Sequence, residues 1–191
     1  LDVKSVALTF DRHPVEVLAP TRSPWYISTL DQRVELIQAV GVDEVVVAEF
    51  TSELAALPRE EFVRDVLMGS LNSKHVVVGS NFRFGRNREG DTRYLQSCLP
   101  ELGAGISVVS AVIIGGGPAS STRVRMLVSR GDVEEAAKIL GRHFTLRGMV
   151  VKGEQVGRTI GFPTSNIQTG PRQLLPAHGV YVVESTIGGT I

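Results

Sequence analysis

Thr29-Leu30-Asp31-Gln32-Arg33-Val34-Glu35-Leu36-Ile37-Gln38-Ala39-Val40-Gly41 runs directly into Val42-Asp43-Glu44-Val45-Val46-Val47-Ala48. Leu30, Val34, Ile37 and Val40 recur at helical spacing, which predicts an amphipathic helix. Thr29 and Gln32 have capping-box spacing and Gly41 supplies a stop. Glu44–Ala48 is a short β-branched run, predicted to be a buried strand. A helix feeding a β-branched strand is the unit from which parallel sheets are built. Outward from it the same alternation continues. Val6–Phe10 precedes it as a strand, with Asp11-Arg12-His13-Pro14 as a loop. A helix is predicted from about Pro58 to Leu71, with Phe62, Val66 and Leu67 on one face. Val76–Val78 forms a strand ending at Gly79, residues 91–99 a polar helix and Ile106–Ile114 a fourth strand. Helices then start near Ser121 and Asp132, the latter in capping-box spacing with Glu135. The expected fold is α/β, a parallel sheet covered by helices on both faces.

The pattern changes after Gly141. Short β-prone runs broken by Gly148, Gly153, Gly157 and Gly161 predict an all-β unit, and His178-Gly179-Val180-Tyr181-Val182-Val183-Glu184 is a further strand signal. The boundary is placed at 142–147, giving domains 1–143 and 144–191.

Composition narrows the function classes. The 191 residues carry 20 basic and 20 acidic side chains, so no global charge favours nucleic acid or an anionic membrane. The cations are mostly arginine, with lysine only at Lys4, Lys74, Lys138 and Lys152. A single cysteine, Cys98, excludes an intrachain disulfide and favours a reducing, cytoplasmic setting. No apolar run approaches the ~20 residues of a membrane span. The four histidines have no metal-ligand spacing, and neither a Walker A motif nor GxGxxG occurs.

In parallel α/β sheets ligands sit beyond the carboxyl ends of strands, and the informative polar segments fall there. Ser120-Ser121-Thr122-Arg123-Val124-Arg125 places hydroxyls and a guanidinium at a helix start, where backbone N–H groups attract phosphate. Alone this is equally an ordinary serine cap, but two arginines in a first turn oppose the helix dipole. In Gly79-Ser80-Asn81-Phe82-Arg83-Phe84-Gly85, the amide of Asn81 and the rings of Phe82 and Phe84 suit a flat polar heterocycle. A hydrophobic plug over the sheet is the other reading. His13 after Phe10 is a phosphate contact or a turn residue. Gly157-Arg158-Thr159-Ile160-Gly161-Phe162-Pro163-Thr164-Ser165-Asn166 combines glycines that admit a phosphate with oxygen donors, Thr164 and Asn166, suited to Mg²⁺. A glycine-rich β-turn fits it as well.

Taken in this order, Thr9-Phe10-Asp11-x-His13-Pro14, Gly79-x-Asn81-Phe82-x-Phe84-Gly85, Ser120-Ser121-Thr122-x-x-Arg125 and Gly157-Arg158-x-x-Gly161-Phe162-Pro163-Thr164-x-Asn166 resemble the prokaryotic bifunctional riboflavin kinase/FMN adenylyltransferases. Gly131-Asp132-Val133, Leu140-Gly141-Arg142 and Gly179-Val180-Tyr181 fit too, so the likeness spans about residues 3–184. It implies a Rossmann-like nucleotidyltransferase sheet followed by part of a riboflavin kinase-like β-barrel. It also implies two Mg²⁺-dependent reactions, riboflavin to FMN and FMN to FAD, each using ATP. By the same resemblance Ser121, Thr122 and Arg125 hold ATP in the adenylyltransferase. Phe10, His13, Asn81, Phe82 and Phe84 line the flavin. Gly157, Arg158, Gly161, Phe162, Pro163, Thr164 and Asn166 bind Mg²⁺–ATP in the kinase, with Thr164 and Asn166 on the metal. The partners expected are small molecules: ATP, FMN and riboflavin. The family's Gly-x-Phe-Asp-Gly and His-x-Gly-His segments and its kinase base are expected outside the 191 residues. Arg12 stands where the family usually has proline. Other classes consistent with these residues are a nucleotidyltransferase with a different phosphorylated acceptor and a non-catalytic flavin- or nucleotide-binding module.

Overall fold

A computed structural model of the chain describes residues 3–153, 161 and 164–187. It divides into two compact units, residues 1–24 with 28–118, and residues 25–27 with 119–191.

The first unit is built on parallel strand pairs. β1 (Val6–Phe10) pairs with β2 (Glu44–Ala48), Val6 opposite Glu44 and Phe10 opposite Ala48. The crossover between them contains α1 (Pro14–Leu18) and α2 (Leu30–Ala39). Parallel strands require such a crossover, because a tight turn cannot reverse the chain twice. The capping box of α2 forms as its spacing predicts: Thr29 accepts from Gln32 N–H, and Gln32 accepts from Thr29 N–H at 2.9 Å. α1 was not expected. Pro14 starts it, since a missing N–H costs nothing in a first turn.

After α3 (Ser52–Ala56), the helix predicted over 58–71 forms with a different winding. One turn, α4 (Arg59–Glu61), leads into a π-helix over Phe62–Ser70. Its wider turn is closed where Leu71 N–H donates to Val66 carbonyl at 3.0 Å. The apolar face survives the change: Phe62 and Leu67 are buried, Val66 half-buried.

β3 (His75–Gly79) pairs in parallel with β6 (Gly105–Val109). Between them lie β4 (Arg83–Phe84), antiparallel to β5 (Gly90–Asp91), and α5 (Thr92–Cys98), capped by Asp91 accepting from Tyr94 N–H at 2.9 Å. α5 is polar outside but buries Leu95, and Leu99 just beyond it is buried equally completely. Together with Phe62, Val63, Leu67, Val76, Phe84 and Ala104 they form the main core. The opposite face of β3 carries Val77, 64% exposed. The fourth strand is shorter than its apolar run. β6 stops at Val109, and Ile113–Ile114 (β7) folds back on Gly117–Pro118 (β8) because Gly115 and Gly116 take positive φ.

Gly85 illustrates how tightly this unit closes. Its φ is +73°, and a Cβ there would lie 2.9 Å from the Arg59 Cα. Gly85→Ala is expected to cost about 1–3 kcal/mol through combined strain and backbone displacement. A denaturation midpoint unchanged from wild type would refute that.

The second unit contains α6 (Ser121–Arg130) and α7 (Val133–Leu140), packed through Val124, Val128 and Ala136. α6 starts at Ser121 as predicted, and Ser120 is its N-cap, accepting from Arg123 N–H at 3.3 Å. The cap expected of α7 does not form. Asp132 makes no side-chain cap, because its backbone (φ −77°, ψ 56°) is outside the extended region an N-cap needs. The β segment among the described residues is one antiparallel pair, β9 (Gly148–Val151) with β10 (Asn166–Thr169), rather than a closed barrel. The predicted strand at 178–184 is not a strand. No described residue pairs with it, and Val180 and Val182 are fully exposed.

Candidate functional site

Phe10, Asp11 and His13 lie at the carboxyl end of β1. Hydrogen bonds from neighbouring elements fix that end. The Arg33 guanidinium, from α2, donates Nη1–H to Phe10 carbonyl at 2.8 Å and to Thr9 hydroxyl at 3.2 Å. Asp11 Oδ1 accepts from Phe50 N–H at 2.9 Å, tying β1 to the chain two residues beyond β2. Asp11 Oδ2 accepts from Arg12 Nε–H at 2.7 Å. His13 caps α1, its Nδ1 accepting from Val15 N–H at 3.2 Å while Glu16 accepts from His13 N–H. A helix-starting histidine is therefore what this position is, rather than a plain turn residue.

The Arg12 guanidinium, and then the Phe50 N–H, hold the Asp11 carboxyl below the usual carboxylate range. A depressed pKa contributes stability that is present above the unfolded value, ~3.9, and is lost as pH falls through the folded value. Asp11→Asn should therefore be less stable than wild type at pH 7, and the gap should close below about pH 4. Thermal melts of both proteins at pH 7 and pH 3 read this directly, and a gap that persists at pH 3 contradicts it.

Phe10 packs edge-on against Phe50, ring centroids 5.0 Å apart. It also lines an apolar cavity of about 300 Å³ with Leu8, Val46, Ala48, Leu54 and Phe62. The π-helix forms one wall through Phe62, Val66 and Ser70. π-helical turns are rare and recur at functional sites, and no sequence signal marked this one.

Asn81, Phe82 and Phe84 follow β3. Ser80 N–H donates to Val109 carbonyl at 2.8 Å and Phe82 N–H to Gly79 carbonyl at 2.9 Å, so the turn is held from both sides. Asn81 is exposed and Phe82 half-buried. Phe84 is a core residue, 6% exposed, whose ring stacks under Phe82 at 5.5 Å and 22°. Phe84 thus supports Phe82 from below. Tyr94, beside Phe84, receives the Arg59 guanidinium over its face at 4.3 Å.

Ser121, Thr122 and Arg125 belong to the second unit. Ser121 and Thr122 are exposed on the first turn of α6, and Arg125 is half-buried. Its Nε–H donates to Trp25 carbonyl at 2.7 Å, and burial pulls its pKa below the ordinary guanidinium value. Thr164, Gly161 and Asn166 are exposed, Asn166 opposite Val151 in the β9–β10 pair. Gly157, Arg158, Phe162 and Pro163 lie outside the described residues. Cys98 has its thiol pushed up in pKa by burial, which suits a packing role and not a nucleophile.

The first unit carries polar loops at the carboxyl ends of parallel α/β strands, and the second carries a helix start with exposed hydroxyls, the two kinds of place where α/β proteins hold ligands. Comparison with known proteins gives the lineage. The sequence model described as FAD synthetase matches residues 1–123, and that described as riboflavin kinase matches 140–191. The chain belongs to the FAD synthetase family. The protein named bifunctional riboflavin kinase/FMN adenylyltransferase from Escherichia coli (strain K12) is 37% identical over 179 residues, 94% of this chain and 57% of that protein. Its namesake from Listeria monocytogenes is 34% identical over 191 residues, 98% of this chain and 59% of the relative. A crystal structure from Streptococcus pneumoniae, named Macrolide-efflux Protein, superposes with a TM-score of 0.81 at 32% identity, covering 94% of this chain and 58% of that one. Among the described residues no helix is long and apolar enough to cross a membrane. The chain spans a little under three-fifths of the length of these relatives.

Proposed function

We propose that the chain serves FAD synthesis. One reaction joins ATP to FMN: an FMN phosphate oxygen attacks the α-phosphorus of ATP, the bond to the β-phosphate oxygen breaks, and FAD and pyrophosphate leave. The other transfers the γ-phosphoryl group of ATP to riboflavin, giving FMN and ADP. Both proceed mainly by positioning and charge neutralisation.

The observation that carries this reading is the first turn of α6. Exposed Ser121 and Thr122 hydroxyls stand where a helix presents its unpaired N–H groups, with the Arg125 fork in the turn that follows. Arg123, in that first turn, opposes the helix dipole, and an ATP phosphate removes that conflict. Asn81 reads the edge of the flavin ring, Phe82 stacks on its face with Phe84 behind it, and Phe10 and His13 border it. Thr164 and Asn166 are exposed neutral oxygen donors two residues apart. That donor set fits Mg²⁺, which keeps water ligands and binds largely through substrate phosphates. Mg²⁺ would neutralise phosphate charge there, with Gly157, Arg158, Gly161, Phe162 and Pro163 completing the kinase-type ATP loop.

The test is a titration of the purified chain. FMN should bind saturably, read by quenching of flavin fluorescence, and MgATP should bind alongside it. Competition for the FMN site by cytidine nucleotides, or no saturable FMN binding, would overturn the assignment.

A further inference from the structure

Three residues of the early chain, Trp25–Ile27, belong to the second unit. Their contacts there are specific. Tyr26 N–H donates to Arg172 carbonyl at 2.7 Å, and Leu174 N–H donates to Tyr26 carbonyl at 2.8 Å. Tyr26 and Gln173 form a parallel bridge between these bonds. Gln173 is itself locked. It is 3% exposed, and with its amide assigned so that both groups are satisfied it donates to Arg147 carbonyl at 2.8 Å and accepts from Arg147 N–H at 3.2 Å. Leu174, also 3% exposed, packs against Val124 and Val128 of α6, and Ala177 N–H donates to Val128 carbonyl at 3.3 Å.

The strap held in this way ends on Arg125. Trp25 carbonyl accepts the Arg125 Nε–H at 2.7 Å. A guanidinium has five N–H donors in a rigid plane, and fixing Nε leaves the four on Nη1 and Nη2 to face a phosphate as a fork. A carbonyl is the suitable partner, because it orients the plane without neutralising the charge that the phosphate needs. The side chain of Trp25, 57% exposed, contributes little to holding this carbonyl in place. Its position is set by the backbone bonds of Tyr26 to Arg172 and Leu174, a bridge that buried Gln173 supports.

Resting on the adenylyltransferase reading of α6, we propose that Trp25–Ile27, clamped by Arg172–Leu174, is the positioning element of Arg125. The stretch matching riboflavin kinase thereby sets the grip of the adenylyltransferase arginine on ATP. The two activities are coupled through one short parallel bridge.

Tyr26→Pro removes the N–H that Arg172 accepts and leaves the Trp25 carbonyl in the chain. It should weaken MgATP binding by about tenfold, within the coupling range of residues in one network. Arg125→Lys keeps the charge and loses the fork. The double variant should bind MgATP no more weakly than Arg125→Lys alone, because both changes act through the same group. Additive losses would overturn the proposal, since a merely structural strap would weaken binding independently of Arg125. A second readout is hydrogen exchange of the Arg125 Nε–H in the ¹⁵N-labelled chain, slow in wild type and fast in Tyr26→Pro. Equal exchange rates would overturn it equally. Should Tyr26→Pro not melt cooperatively, Gln173→Leu loosens the same bridge, with the same two outcomes read. If the wild-type chain binds no MgATP, the adenylyltransferase reading fails, while the exchange rates still report on the clamp.

Discussion

Leu95→Ala should lower the unfolding free energy of the first unit by about 2–5 kcal/mol, the range for emptying a fully buried leucine site. Leu95 is wholly inaccessible and sits within the cluster that joins Phe62, Leu67, Val76, Phe84 and Leu99. This cluster draws on the π-helix, β3, β4 and α5, so a cavity at Leu95 loosens all four. The size of the loss depends on how far the site collapses. The aromatic set of Phe62 and Phe84, ring centroids 5.2 Å apart, resists collapse better than aliphatic neighbours would. Urea denaturation of wild type and variant, compared at constant slope, checks this. A midpoint shift corresponding to under 1 kcal/mol would show that α5 is not part of the cooperative core.

Arg125→Ala should weaken MgATP binding by roughly 10- to 100-fold, the loss of one or two charge-assisted hydrogen bonds. Flavin binding should change little, since Asn81 and Phe82 belong to the other unit. That contrast separates a lost ligand contact from general damage. Arg125→Lys should recover part of the affinity through charge alone, without the planar fork. Isothermal titration with MgATP, with flavin fluorescence as the control, measures both. ATP affinity equal to wild type would remove α6 from the nucleotide site.

Much of the first unit is legible locally. Thr29 and Gln32 are adjacent in a first turn, so their capping box needs nothing but the sequence around them. The β-branched runs at Val45–Val47 and Val76–Val78 suit strands, and each finds a parallel partner. The misreadings share a cause. Ile106–Ile114 looks like one strand because apolarity is continuous, but Gly115 and Gly116 fold its end into a hairpin. Val180–Val183 has strand propensity, yet a strand exists only through hydrogen bonds to a neighbour, and no described residue supplies them. Phe82 and Phe84 look equivalent at spacing two, but only packing shows Phe84 to be core and Phe82 its half-exposed cap.

The order of motifs along the chain determined the family and the parallel α/β character, because helix periodicity, caps and strand propensity are short-range properties carried by neighbouring residues. Tertiary structure alone decided the π-helical winding of 62–70, the apolar cavity it lines, and the strap from Arg172 through Tyr26 to Arg125. Those depend on contacts between residues as many as 146 positions apart, as in the Tyr26 to Arg172 bond. No local pattern encodes such a pairing, since a backbone N–H and carbonyl are the same in every residue that carries them.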